Sequence, residues 1–183
     1  MVPEALKTVA VIGNGIIGHG ITQIFAAAGK DVVMIGRDQG SLERAKGKIA
    51  ASLEQFAAHD LIARAAIPAI LARIKTSIAL EDAAPAQLVI EAVTEDLPLK
   101  LEIFGKLDRI CPPPAVLGSS SGQPASALVA KVAHPERVIA THFWYPPQLI
   151  PLVEVCAGPQ TAPEVTRWVC AALKAAGKEP AVI

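Results

Sequence analysis

The chain has 183 residues with 17 Lys plus Arg against 17 Asp plus Glu, a formal net charge of zero. That balance argues against a nucleic-acid or anionic-membrane surface as the main partner. With 52% hydrophobic and 19% charged residues, the composition is that of a folded domain large enough for a sizeable core, and it excludes disorder. No apolar run reaches the roughly 18–20 residues that span a bilayer, and the opening MVPEALK has no signal-peptide core. The three cysteines, Cys111, Cys156 and Cys170, form no C-x-x-C pair. They read as small buried hydrophobes in a reducing compartment, which points to the cytosol. No metal-ligand set is assigned.

In chain order, the β-branched run Thr8–Ile12 predicts a first strand and Ile16–Ala28 a first helix, stopped by Gly29. Between them lies Gly13-Asn14-Gly15-Ile16-Ile17-Gly18, a G-x-G-x-x-G sequence placed after a strand and opening a helix. In that setting Gly13 permits the tight turn, Gly15 lets the backbone approach a pyrophosphate, and Gly18 lets helix and strand pack closely. The helix N-terminus offers unpaired N–H groups and a partial positive charge to phosphates. The six residues are therefore candidate dinucleotide contacts.

Asp31–Ile35 predicts the second strand. An acidic residue at its end usually accepts hydrogen bonds from the adenosine ribose hydroxyls. This chain has Gly36-Arg37-Asp38 there. A small residue followed by Arg suits the extra 2′-phosphate of NADP, whereas Asp38, two positions on, could still reach the ribose and leave Arg37 a solvated loop cation. The cofactor expectation is thus NAD or NADP.

Ser41–Arg73 reads as a pair of helices, the first capped by Ser41 with Leu42, Ala45, Ile49, Leu53 and Phe56 at helical spacing, the second with Pro68 in its first turn. His59 and the Lys46/Lys48 pair in this excursion read as solvated helix face. Ile74–Ile78 predicts a short strand and Leu88–Val93 a buried one, as parallel sheets require. Ala92, Val93 and Glu95 stand at or beyond its C-terminal end, where open α/β sheets bind ligands. Thr94 or Asp96 is the expected cap of the helix Leu97–Ile110, which the prolines 112–114 close. Ala115–Leu117 predicts a strand running into Gly118-Ser119-Ser120-Ser121-Gly122.

Arg137–His142 and Ile150–Cys156 predict two further strands, the latter carrying Glu154 among apolar neighbours. An unpaired carboxylate is costly to bury, so a partner is required, and a His on a neighbouring strand would serve. Bonding one imidazole nitrogen to a carboxylate fixes the tautomer and leaves the other as a base. A helix over Pro163–Ala176, stopped by Gly177, and a final strand from Pro180 to Ile183 complete the chain. The expectation is α/β: a Rossmann-type, doubly wound, mostly parallel sheet with a two-helix excursion after the second strand, one dinucleotide-binding domain over residues 1–183.

The blocks VAVIGNGIIGHGITQIFAAAG, LVIEAVTED, VLGSSSG, HPERVIATHFWYPP and IPLVEVC together make the chain resemble the N-terminal domain of the 3-hydroxyacyl-CoA dehydrogenases, including lambda-crystallin-like and carnitine dehydrogenase relatives. The resemblance runs from Thr8 to Ile183. It implies that His142 is the catalytic His of an H-F-x-N-P block, that Glu154 pairs with it, that Ser121 bonds the substrate's reacting oxygen, and that Glu95 lies beside the nicotinamide. The implied chemistry is reversible oxidation of a 3-hydroxyacyl-CoA to a 3-ketoacyl-CoA, as in fatty-acid β-oxidation. The resemblance also implies a helical C-terminal domain beyond this chain that closes the cleft and makes a homodimer, leaving this stretch weakly active or inactive by itself. Gly36 replaces the family's Asp, Tyr145 its Asn, and Ser119-Ser120-Ser121-Gly122 departs from its T-N-T-S-S loop. These departures keep a CoA-independent hydroxyacid or diketo reductase open as an alternative. A non-catalytic dinucleotide binder has no use for a His142–Glu154 pair, and a flavin module shares only the glycine motif.

Overall fold

A computed structural model describes residues 2–3 and 5–183, so Met1 and Glu4 of the opening stretch lie outside the described residues. The strands are β1 (Thr8–Ile12), β2 (Asp31–Ile35), β3 (Ile74–Ser77), β4 (Leu88–Glu91), β5 (Val116–Ser119), β6 (Val138–Phe143), β7 (Leu152–Ala157) and β8 (Glu179–Val182). The helices are α1 (Ile16–Ala27), α2 (Gln39–Ala58), α3 (Ile67–Ala72), α4 (Leu97–Ile110), α5 (Ala125–Leu128) and α6 (Pro163–Ala175). All strands join one sheet in the order β3-β2-β1-β4-β5-β6-β7-β8. Pairing is parallel except between β6 and β7, which are antiparallel.

Side chains alternate across a strand, and the two faces are covered by different helices. Val9, Val11, Val32, Met34, Leu88 and Ile90 pack with residues of α1, α2, α3 and α6. Ala10, Ile12, Val33, Ile35, Val89 and Leu117 pack instead with Phe104 and Leu107 of α4 and Leu128 of α5. Both faces of the central strands are thus buried, which is why they read as near-continuous apolar runs. The strand order reverses at β1, flanked by β2 on one side and β4 on the other. A crevice opens at such a switch point, at the carboxyl ends of the strands.

The doubly wound fold and the two-helix excursion match the expectation, and the structure settles or corrects several local details. Ser41 does not cap α2: Asp38 does, its Oδ1 accepting from Ser41 N at 2.8 Å, and the helix starts at Gln39. Of the two candidate caps for α4, Asp96 takes the position, accepting from Leu99 N at 3.1 Å. β4 ends at Glu91 rather than Val93, because Glu91 Oε1 takes the Val93 N–H at 2.7 Å and pulls the chain out of the ladder. The short α5 was not expected: four residues are too few to show a helical period. Cys111 is buried, but Cys156 and Cys170 are only partly so. No helix among the described residues is long and apolar enough to cross a membrane.

Candidate active site

The turn from β1 into α1 is built by close approach. Gly13 holds φ at +107°, and a Cβ on it would lie 2.5 Å from Ala92 O. Only glycine reaches that conformation without strain while touching the end of β4. A Cβ on Gly18 would meet Gly13 O at 1.9 Å, so α1 sits directly on the turn it follows. Gly15 is the N-cap of α1, and a Cβ there would meet nothing within 4 Å. No side chain caps this helix, and its first turn carries no acidic residue. The N–H groups at Ile16, Ile17 and Gly18 therefore face an open cradle beside Gly15, the arrangement that receives a pyrophosphate. His19 Nδ1 donates to Gly15 O at 2.6 Å and Thr22 Oγ1 to Gly18 O at 2.9 Å, bracing the turn. Asn14 lies against Gly36, a Cβ on which would meet Asn14 Oδ1 at 2.8 Å. The two predicted halves of a dinucleotide crevice thus adjoin, and the residues present fit such a group.

At the ends of the next strands stand two side-chain pairs. His142 on β6 faces Glu154 on β7 in register, with Nδ1 and Oε2 2.8 Å apart. The two side chains are 35% and 28% exposed, enough to meet a ligand yet shielded enough to hold geometry. A carboxylate oxygen only accepts, so Nδ1 carries a hydrogen, and in the neutral ring Nε2 keeps its lone pair. Trp144 sits beside the imidazole, with ring centroids 5.4 Å apart and tilted by 53°. The second pair is Ser121 and Glu95: Ser121 Oγ donates to Glu95 Oε2 at 2.7 Å and accepts from Gln123 N at 3.0 Å. Among the described residues no hydrogen bond joins Ser121 to His142. The two pairs are separate.

Beneath Glu95 lies a network that the sequence reading missed. Glu91 and Lys100 are 0% and 1% exposed, with Nζ to Oε1 at 2.8 Å. Glu91 also accepts from Ser119 Oγ at 2.6 Å and from Val93 N at 2.7 Å. Lys100 reaches Glu95 Oε1 at 3.6 Å, and Ser119 Oγ accepts from Ser121 N at 3.2 Å. A buried ion pair with its remaining lone pairs satisfied thus anchors both Glu95 and the serine loop. The signal was available: Glu91 interrupts the apolar strand LVIEAV just as Glu154 interrupts IPLVEVC, and Glu91, being fully buried, needs a partner as buried as itself.

Residues 8–183 match the family model for the NAD binding domain of 3-hydroxyacyl-CoA dehydrogenase. The chain is 34% identical over 176 residues to the 3-hydroxyadipyl-CoA dehydrogenase of Escherichia coli, covering 96% of this chain and 37% of that protein. It is 36% identical over 171 residues to a probable 3-hydroxybutyryl-CoA dehydrogenase of Deinococcus radiodurans, covering 93% and 61%. The crystal structure of an Escherichia coli 3-hydroxybutyryl-CoA dehydrogenase superposes with a TM-score of 0.94 at 33% identity, covering 97% of this chain and 38% of that one. The chain therefore spans between about a third and three fifths of the length of these relatives. The glycine turn, the parallel sheet and the match over residues 8–183 place the chain in the 3-hydroxyacyl-CoA dehydrogenase family, as its NAD-binding domain.

Proposed function

We propose that this domain serves a dehydrogenase that interconverts a 3-hydroxyacyl-CoA and the 3-ketoacyl-CoA, with His142 as the general acid/base. The observation that carries the reading is the His142 Nδ1–Glu154 Oε2 bond of 2.8 Å beside a glycine cradle suited to a dinucleotide. The nicotinamide, when bound, supplies the hydride chemistry. His142 Nε2 takes the proton from the substrate hydroxyl in the oxidative direction and returns it in the reductive one. Glu154 holds the ring in the tautomer that leaves Nε2 free and stabilises the imidazolium that forms. Ser121 already donates to Glu95 and accepts from Gln123. It bonds a substrate oxygen by exchanging Glu95 for that oxygen as acceptor.

Gly13, Asn14, Gly15, Ile16, Ile17 and Gly18 hold the pyrophosphate end, and Ala92, Val93 and Glu95 line the crevice at the end of β4. The family resemblance implies a second, helical domain and a homodimer formed through it, and a cytosolic address fits the three free thiols.

The test is His142→Gln in the full-length protein, assayed on an acyl-CoA series and on the corresponding free acids. A positioned base contributes about 10²–10⁴-fold, so turnover falls by that factor while dinucleotide binding persists. Retained turnover would end the assignment. Turnover of free acids alone would leave the base assignment standing and replace CoA by a simple hydroxyacid or diketone as substrate.

A further inference from the structure

We infer that the crevice after β2 takes the 2′-phosphorylated dinucleotide, NADP(H), in preference to NAD(H), and that Arg37 decides the choice. The inference rests on the dinucleotide reading above and concerns only its adenosine end. In a G-x-G-x-x-G fold, an acidic residue closing the second strand accepts the ribose hydroxyls and repels a phosphate, whereas a nearby Arg accommodates one.

β2 ends at Ile35, and the next residue, Gly36, spends its N–H on Ser77 O at 3.0 Å. It has no side chain to offer, and neighbours fill the place of one. A Cβ would lie 2.8 Å from Asn14 Oδ1 and 2.9 Å from Leu42 Cδ2. One oxygen of the Asp38 carboxylate already caps α2. Its Oδ1 accepts from Ser41 N at 2.8 Å, and its backbone oxygen accepts from Ser41 Oγ at 2.9 Å. The hydrogen bond from the Ser41 N–H first, then the Ser41 side chain and the charges of Arg44 and Arg37, hold its carboxyl below the usual range. Turning Asp38 toward a ribose would uncap a 20-residue helix whose first turn carries no acidic residue. Arg44 Nη1 and Asp38 Oδ1 each lie 3.4 Å from the position of a Cβ on Gly40, which sets the Arg44 guanidinium beside that carboxylate.

Arg37 is the group left over. It is exposed, and among the described residues its guanidinium is in no hydrogen bond or salt bridge, its charge acting on Asp38 only at longer range. Its five donors in a planar fork match a phosphate and have no comparable use against a neutral hydroxyl. Two arginines and a helix N-terminus against a single engaged carboxylate favour a dianionic group at this corner.

The experiment is a calorimetric titration of the protein with NADPH and, separately, NADH, then of Arg37→Ala with both. A charge-assisted contact corresponds to roughly tenfold to a hundredfold in affinity. NADPH should bind at least tenfold tighter than NADH, and Arg37→Ala should cut the ratio of the two dissociation constants by tenfold or more. Equal or tighter binding of NADH overturns the inference and leaves the dinucleotide reading intact. An NADPH preference that survives Arg37→Ala overturns the role of Arg37. Failure of both cofactors to bind a protein with native circular dichroism overturns the dinucleotide reading itself.

Discussion

His142 and Glu154 face each other in register across the antiparallel pair of β6 and β7, with Nδ1 and Oε2 2.8 Å apart. This is the junction where the sheet changes direction, and the change matters chemically. A directly opposed antiparallel pair brings Cβ atoms within about 4.5–5.5 Å, so a short carboxylate reaches an imidazole without a flexible loop between them. The imidazole is positioned by two paired strands of the sheet.

That placement predicts strong coupling between the two residues. Glu154→Gln keeps the shape but replaces the oxygen-only acceptor with an amide that can bond either tautomer. Turnover should fall by about 10²-fold or more, and adding His142→Gln should cost little beyond the His142 variant alone, since groups that act as a unit are non-additive. Steady-state kcat across the double-mutant cycle reads this out. Additive losses would show that Glu154 only packs.

The Glu91–Lys100 pair predicts an asymmetric stability pattern. Removing one partner of a buried ion pair leaves an uncompensated charge and typically costs about 3–5 kcal/mol. Glu91→Gln and Lys100→Met should each lower the unfolding free energy measured in urea by an amount in that range. The double variant, with no unpaired charge, should recover much of the loss. Single losses under about 1 kcal/mol would mean that water reaches the pair.

The glycines of the first turn separate folding from binding. Gly18→Ala drives a Cβ to 1.9 Å from a backbone oxygen, so soluble yield and melting temperature should drop sharply. Gly15→Ala meets nothing within 4 Å and should unfold at nearly the parent urea concentration. The same methyl would stand in the cradle proposed for the phosphates, so dinucleotide affinity should fall by tenfold or more. A Gly15→Ala protein that binds the dinucleotide as the parent does would remove the pyrophosphate from this turn.

Cys111 supplies a pH signature. Burial pushes its thiol from an ordinary value of 9.0 up to about 11, despite the opposing pull of Arg137. A group whose proton is held more tightly in the folded state contributes its full stability below the unfolded pKa and loses it as pH rises. Here the window runs from about pH 9 to 11, and the difference amounts to about 2–3 kcal/mol. Urea unfolding at pH 8 and pH 10.5 should show a steeper alkaline loss for the parent than for Cys111→Ala. At pH 8 the native thiol should resist an aromatic disulfide reagent until the chain unfolds.

Much of the fold was legible residue by residue, because the forces that set strands, helices and the glycine turn act over a few neighbours. The β-branched runs, the 3.6-residue spacing of Leu42, Ala45, Ile49 and Leu53, and the stop at Gly29 are local chemistry. So was the pairing of Glu154 with a His on the neighbouring strand, although the carboxylate is only partly buried, 28% of its side chain remaining exposed. The sequence, through its motifs taken together, also determined the family. What it did not determine were choices among equally suitable partners. Asp38 and Ser41 could each cap α2, and only the path of the chain after β2 placed the Asp38 carboxylate on the Ser41 N–H. Glu91 finds Lys100 nine residues away and Ser119 twenty-eight away, and Ser121 turns to Glu95 across 26 residues. Those meetings depend on β4 lying beside β5 and α4 packing over them. A buried polar group states its need in the sequence; the tertiary structure decides who meets it, because hydrogen bonds reach only about 3 Å and packing alone brings such distances about.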